Sequence, residues 1–180
     1  MTEATQRNPL AAPAVRVLAI SNQKGGVGKT TTAINLGTAL AAAGERVLIL
    51  DLDPQGNAST GVGVGPESRP LTMYDVLTRS ASVLQAAVAT KVPNLSIVPA
   101  NSDLVSLESD LMSDSGRPYK LRDALAAMAA EQTAVTGGRP FNYVLIDCPP
   151  SLSLLTLNGL CAAHSVLIPM QCEYLSLIHI

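Results

Sequence analysis

Short runs of consecutive apolar residues alternate along the chain with longer stretches whose apolar positions recur at helical spacing. Val15–Ile20, Arg46–Leu50, Leu95–Pro99, Tyr143–Ile146 and Val166–Met170 are rich in β-branched residues and leucine, and each predicts a strand buried on both faces. Between them, Thr30–Ala43 predicts a helix with an apolar face at Ala33, Leu36, Leu40 and Ala43, stopped by Gly44. Leu71–Ala89, Ser102–Met112, Tyr119–Glu131 and Ser153–Ala162 also read as helical. Met1–Ala14 shows no period and reads as a flexible arm, and Ala134–Pro140 reads as a surface turn. Pro54–Pro70 is a long glycine-rich loop with room for one helical turn, and loops of that length are usually functional. Strands alternating with helices predict an α/β fold: a mostly parallel sheet flanked by helices, binding its ligand beyond the carboxyl ends of the strands.

Composition narrows the picture. A chain of 180 residues with 47% hydrophobic residues can bury a core, which excludes a mostly disordered protein. The net charge of −2 argues against a generally basic nucleic-acid coat, though not against a local basic patch. No apolar run reaches the ~18 residues of a membrane span, and the N-terminus lacks a basic-then-apolar leader. Cys148, Cys161 and Cys172 have no metal-like spacing and read as reduced thiols, with Cys148 a small apolar filler. His164 has no partner cluster and reads as a polar residue at a helix exit.

The candidate chemistry lies at three strand ends. Lys24-Gly25-Gly26-Val27-Gly28-Lys29-Thr30-Thr31 joins the first strand to the first helix. Glycines let successive N–H groups turn inward onto phosphate oxygens, and the helix adds its positive end. Lys29 is placed to reach the β- and γ-phosphates, and the Thr30 hydroxyl to ligate Mg²⁺. The ordinary form of this loop carries a glycine where Gln23 stands. A second lysine, Lys24, opens the loop instead, and a cation there is free to reach a nucleotide held by another subunit. At the second end, Asp51-Leu52-Asp53 offers two carboxylates, one for the Mg²⁺ shell and one to orient an attacking water. Read alone, that segment is equally a strand-ending turn, since Asp, Pro, Gly and Asn all favour turns. Asp147, before Cys148-Pro149-Pro150-Ser151, fits a further acidic group holding Mg²⁺ through water.

These residues carry a resemblance. Ser21 to Leu36 looks like the deviant Walker A motif of ParA/Soj-type partitioning ATPases, a P-loop NTPase family. Arg46 to Ala58 resembles that family's next motif, Asp147 to Leu152 its Walker B, and Ile168 to Tyr174 its following strand and loop. The resemblance implies ATP and Mg²⁺ as cofactors and a role for each matched residue. Gly25, Gly26, Val27 and Gly28 would line the phosphates, Lys29 would bind the β/γ-phosphates, and Thr31 the α-phosphate. Thr30, Asp51 and Asp147 would serve the metal, with Asp51 also supporting the site of Asp53, which would position the hydrolytic water. Lys24 would contact ATP in the partner subunit, so that two subunits sandwich two nucleotides. Such ATPases form ATP-dependent homodimers, bind DNA without sequence preference, and hydrolyse ATP when triggered by a ParB-type centromere-binding partner. The implied setting is a cytoplasmic, nucleoid-associated protein with no membrane partner. The alternatives are a Min-like or cargo-positioning ATPase cycling on a membrane or nucleoid, and an inactive fragment.

The family continues beyond Tyr174 into parts that carry the adenine pocket and the basic DNA surface. The chain is therefore expected to be the front of a longer domain: an arm at 1–14, a partial ATPase domain at 15–174 and a non-native tail at 175–180. Leu175–Ile180 departs from the family pattern and matches one reading frame of a transposon-end adapter.

Overall fold

A computed structural model describes residues 15–134 and 141–171. The arm, the turn at 135–140, Cys172 and the 175–180 tail lie outside the described residues. Six strands form one sheet in the order β3-β4-β2-β5-β1-β6. They are β1 (Arg16–Ile20), β2 (Val47–Asp51), β3 (Val88–Ala89), β4 (Leu95–Val98), β5 (Tyr143–Asp147) and β6 (Ser165–Leu167). All neighbouring pairs are parallel except β3 with β4, an antiparallel edge hairpin. The expected α/β architecture is present, with six strands among the described residues rather than the five expected.

Strand residues alternate between two apolar layers. Ile20, Val47, Ile49 and Leu145 face α1 (Lys29–Ala42). Leu48, Leu50, Val144 and Ile146 face the opposite layer, which contains α3 (Met73–Leu77), α6 (Lys120–Ala134) and α7 (Leu154–Ala162). The apolar face of α1 holds at Ala33, Leu36 and Leu40, which face this layer, but its most buried stripe runs through Ala33, Gly37 and Ala41, and Ala43 is the exposed C-cap. The cause is close approach to the sheet. A Cβ on Gly37 would lie 3.2 Å from Ile49 Cδ1 and 3.3 Å from Leu95 Cδ1, so the stripe must be small.

Leu71–Ala89 is not one helix. It breaks into α3, α4 (Val83–Ala86) and strand β3. Thr72 and Asp75 form a capping box that starts α3, and Ser82 and Gln85 form a second that starts α4. Between them Arg79 takes a left-handed conformation (φ 65) that ends α3. The helical stretch expected at Ser102–Met112 is a 3₁₀ turn followed by the single-turn α5 (Leu107–Asp110). Within the long glycine-rich loop sits the expected helical turn, α2 (Asn57–Gly61). β6 is shorter than expected, and Val166, Ile168 and Met170 along and beyond it are exposed.

Candidate functional site

The loop from Ser21 to Gly28 leaves β1 at its carboxyl end and delivers the chain into α1. Gly26 and Gly28 both adopt positive φ (73° and 88°), which a side chain would resist. No side chain caps the start of α1, and no acidic residue lies in its first turn. The first-turn N–H groups therefore keep their capacity for an anion, at the positive end of a 14-residue helix. Lys29 is buried, and its Nζ donates to the Lys24 carbonyl at 3.0 Å, drawing the loop into a ring. Thr31 and the Lys24 side chain face solvent. Two ties hold the loop from outside: Asn22 Nδ2 donates to the Pro169 carbonyl (2.8 Å), and Gln171 Nε2 to the Gly26 carbonyl (3.1 Å).

The carboxylates arrive from the next two strand ends. Asp51 and Asp147 are in register across β2 and β5, and Ile20 pairs with Asp147 on the other side. Both carboxylates thus emerge on the α1 side, beside the phosphate loop. Asp51 is fully buried and fully answered. Its Oδ2 accepts the Ser59 amide (2.9 Å) and hydroxyl (2.7 Å), and its Oδ1 accepts the Asp53 amide (3.2 Å). Burial raises its pKa, and these hydrogen bonds pull it part of the way back. Asp53 is half-buried, with Oδ1 accepting the Gln55 amide at 3.0 Å and its carbonyl accepting the Gly56 amide at 2.8 Å.

Asp147 is different. Both carboxylate oxygens are buried without a hydrogen-bond partner. Burial pushes its pKa up to about 7; nearby Thr30 and Lys29 favour the charged form, and Asp51 and Asp53 oppose it. The Thr30 hydroxyl is near enough to exert that pull but does not complete a hydrogen bond. A buried carboxylate with no donor, beside a threonine hydroxyl and a lysine, fits a group that answers a cation or its hydration shell. Among the described residues no three His, Cys, Asp or Glu side chains converge as a metal-ligand set. A metal here would need oxygens from phosphate and water, as Mg²⁺ does when it travels with a nucleotide.

The remaining residues singled out above have structural places. Cys148 is buried, and burial lifts its thiol to about 12, so it is no nucleophile. His164 Nδ1 accepts the Val17 amide at 3.0 Å, joining the exit of α7 to β1. Sequence reasoning missed Ser59 and Arg69, which anchor the segment after Asp53. The available signal was that Arg69 is the only cation in the Pro54–Pro70 loop.

Comparison with known proteins follows the same lines. A family model described as an AAA domain matches residues 15–179. The chromosome partitioning protein ParA of Caulobacter vibrioides is 56% identical over 93% of this chain and 60% of its own length. The sporulation initiation inhibitor protein Soj of Bacillus subtilis is 46% identical over 90% of this chain and 60% of its own. The chain spans about 60% of the length of these curated relatives. Among solved structures, cobyrinic acid a,c-diamide synthase from Mycobacterium smegmatis, with bound ATP analogue and magnesium, has a TM-score of 0.80 at 45% identity. That match covers 89% of this chain and 60% of the synthase. The ATP complex of a Cyanothece McdA variant has a TM-score of 0.75 at 26% identity, covering 86% of this chain and 56% of its own. No helix among the described residues is long and apolar enough to cross a membrane. Phosphate loop, paired strand-end aspartates and relatives agree: the chain belongs to the AAA domain family that includes the ParA and Soj chromosome-partitioning proteins.

Proposed function

We propose that the protein binds and hydrolyses Mg²⁺-ATP and serves as the ATPase of a chromosome or plasmid partitioning system. The observation that carries this reading is the bare, buried Asp147 carboxylate beside Thr30 at the mouth of a glycine loop that encloses Lys29. Lys29, now resting on the Lys24 carbonyl, would exchange that partner for the β- and γ-phosphates. The amides of Gly25 to Thr31 would hold phosphate oxygens, the Thr31 hydroxyl adding a donor to the α-phosphate. Thr30 would ligate Mg²⁺ directly and Asp147 through water. When bound, that ion would neutralise charge on the transferring phosphoryl group. Asp51 would serve the metal indirectly, because its oxygens are engaged by Ser59 and the Asp53 amide. Asp53 would orient the attacking water with the carboxylate oxygen not taken by Gln55. Lys24, exposed at the loop's rim, would reach the nucleotide of a second subunit and make dimerisation depend on ATP. The name of one curated relative, the chromosome partitioning protein ParA, supports the partitioning role; in the proposed cycle the partners would be a ParB-type protein and non-specific DNA in the nucleoid.

Titration with a fluorescent ATP analogue tests the core of this reading. Lys29→Ala should weaken binding at least ~10-fold, the scale of losing one charge-assisted phosphate contact. Lys24→Ala should bind nucleotide but stay monomeric on sizing with ATP, and Asp53→Ala should dimerise without turnover. Undiminished binding by Lys29→Ala would remove the phosphate-site assignment.

A further inference from the structure

We propose that Arg69 is a positioning residue for Asp53: its guanidinium clamps the turn after Asp53 to the exit of β4. The inference rests on the role for Asp53 given above.

Arg69 is half-buried and pairs with no carboxylate among the described residues. It directs its donors into one small region instead. Nε and Nη2 donate to the Val64 carbonyl (3.2 and 2.9 Å), and Nη1 to the Ala100 carbonyl (2.9 Å). Nη2 also donates to Thr60 Oγ1 (2.8 Å) and, more weakly, to the Gly56 carbonyl (3.4 Å). Val64, Thr60 and Gly56 belong to the turn around α2, whereas Ala100 follows β4. A planar fork with five N–H donors can join these groups at once; a lysine ammonium cannot.

Two routes lead from this clamp to Asp53. The first is direct: Gly56, whose carbonyl Arg69 holds, donates its own amide to the Asp53 carbonyl at 2.8 Å. The second runs through Ala100. Its carbonyl accepts from Arg69, and its amide donates to Ser59 Oγ at 3.1 Å. Ser59 then donates to Asp51, whose other oxygen receives the Asp53 amide. Gly56 marks how closely the guanidinium fills this space. It has a positive φ of 63°, and a Cβ there would collide with Arg69 Nη1 and sit 3.3 Å from the Ala100 carbonyl. Burial of Ala58 and the Ser59 bonds to Asp51 hold the middle of this turn, but α2 is a single turn with no side-chain cap, so Arg69 supplies the side-chain ties that join its two ends to β4.

The test compares Arg69→Gln and Arg69→Lys with the unaltered protein by three measurements. These are amide exchange without nucleotide, affinity for a fluorescent ATP analogue, and ATP turnover. Exchange over residues 56–64 should quicken by about tenfold while β2 and β5 keep their protection. Analogue affinity and KM for ATP should stay within about twofold, while kcat falls about tenfold or more. Arg69→Lys, which keeps charge and stem, carries the test if Arg69→Gln fails to fold. Unchanged exchange overturns the clamp. Faster exchange with normal kcat overturns the positioning role. An unaltered protein that binds no ATP analogue overturns the ATPase reading itself, and the role for Asp53 falls with it.

Discussion

Asp51 and Asp147 end neighbouring strands, directly across from one another, and both are buried with raised pKa values. Burial alone would class them together. Their hydrogen bonds separate them: three donors answer Asp51, and none answers Asp147. A satisfied buried carboxylate is scaffold, because protein donors already occupy its oxygens. An unsatisfied one is a standing cost that folding tolerates where a ligand offsets it. The same row of the sheet thus holds one carboxylate that protein donors answer and one that none answers.

That contrast is open to direct attack. Asp51→Ala should lower the unfolding free energy by about 3 kcal/mol in urea melts, since it strands buried donors of Ser59 and Asp53. A smaller loss, about 2 kcal/mol, is expected for Ser59→Ala, which removes the hydroxyl bond to Asp51 and strands the buried Ala100 amide but leaves the Asp51 amide contacts. Asp147→Asn should behave oppositely, leaving nucleotide-free stability unchanged or raised by up to ~1 kcal/mol while impairing Mg²⁺-dependent nucleotide binding. Equal destabilisation by Asp51→Ala and Asp147→Asn would erase the distinction. The contrast also has a pH dependence without nucleotide. A raised carboxyl pKa means the folded state keeps a proton that the unfolded chain has released. Its contribution to stability is therefore largest at acid pH and declines as pH rises from the ordinary value of 3.8 to about 7. Asp147→Asn should flatten stability in that window, as read from midpoints at about pH 4.5 and 7.5.

The phosphate loop was legible because its chemistry is local. Glycines, Lys29 and Thr30 lie within a few residues of each other, and the strand before and helix after them announce their own periods. The parallel sheet was legible because strands covered on both faces read as unbroken apolar runs. Leu71–Ala89 misled because its apolar spacing is helical throughout, while the breaks are written in polar residues: Thr72 with Asp75, and Ser82 with Gln85. Those two capping signatures were present to be read. Ala43 misled for another reason, since the face of α1 is chosen by how closely Gly37 lets the helix approach Ile49. Ser59 and Arg69 were hidden because their partners include the peptide group of Ala100, far along the chain and invisible to any side-chain pattern.

The sheet order has a kinetic consequence. β1, which leads into the glycine loop, is flanked by β5 and β6, both made long after it. Arg16 lies beside Tyr143 although most of the chain separates them. During synthesis the glycine loop emerges early, but the strand that brings Asp147 to it arrives only after α6. Until then β1 has neither neighbour, and closing so long an intervening segment is entropically slow. The candidate site therefore assembles later than the β2–β4 side of the sheet, and the nascent chain passes that interval with an apolar strand uncovered, the condition under which chaperones are most needed.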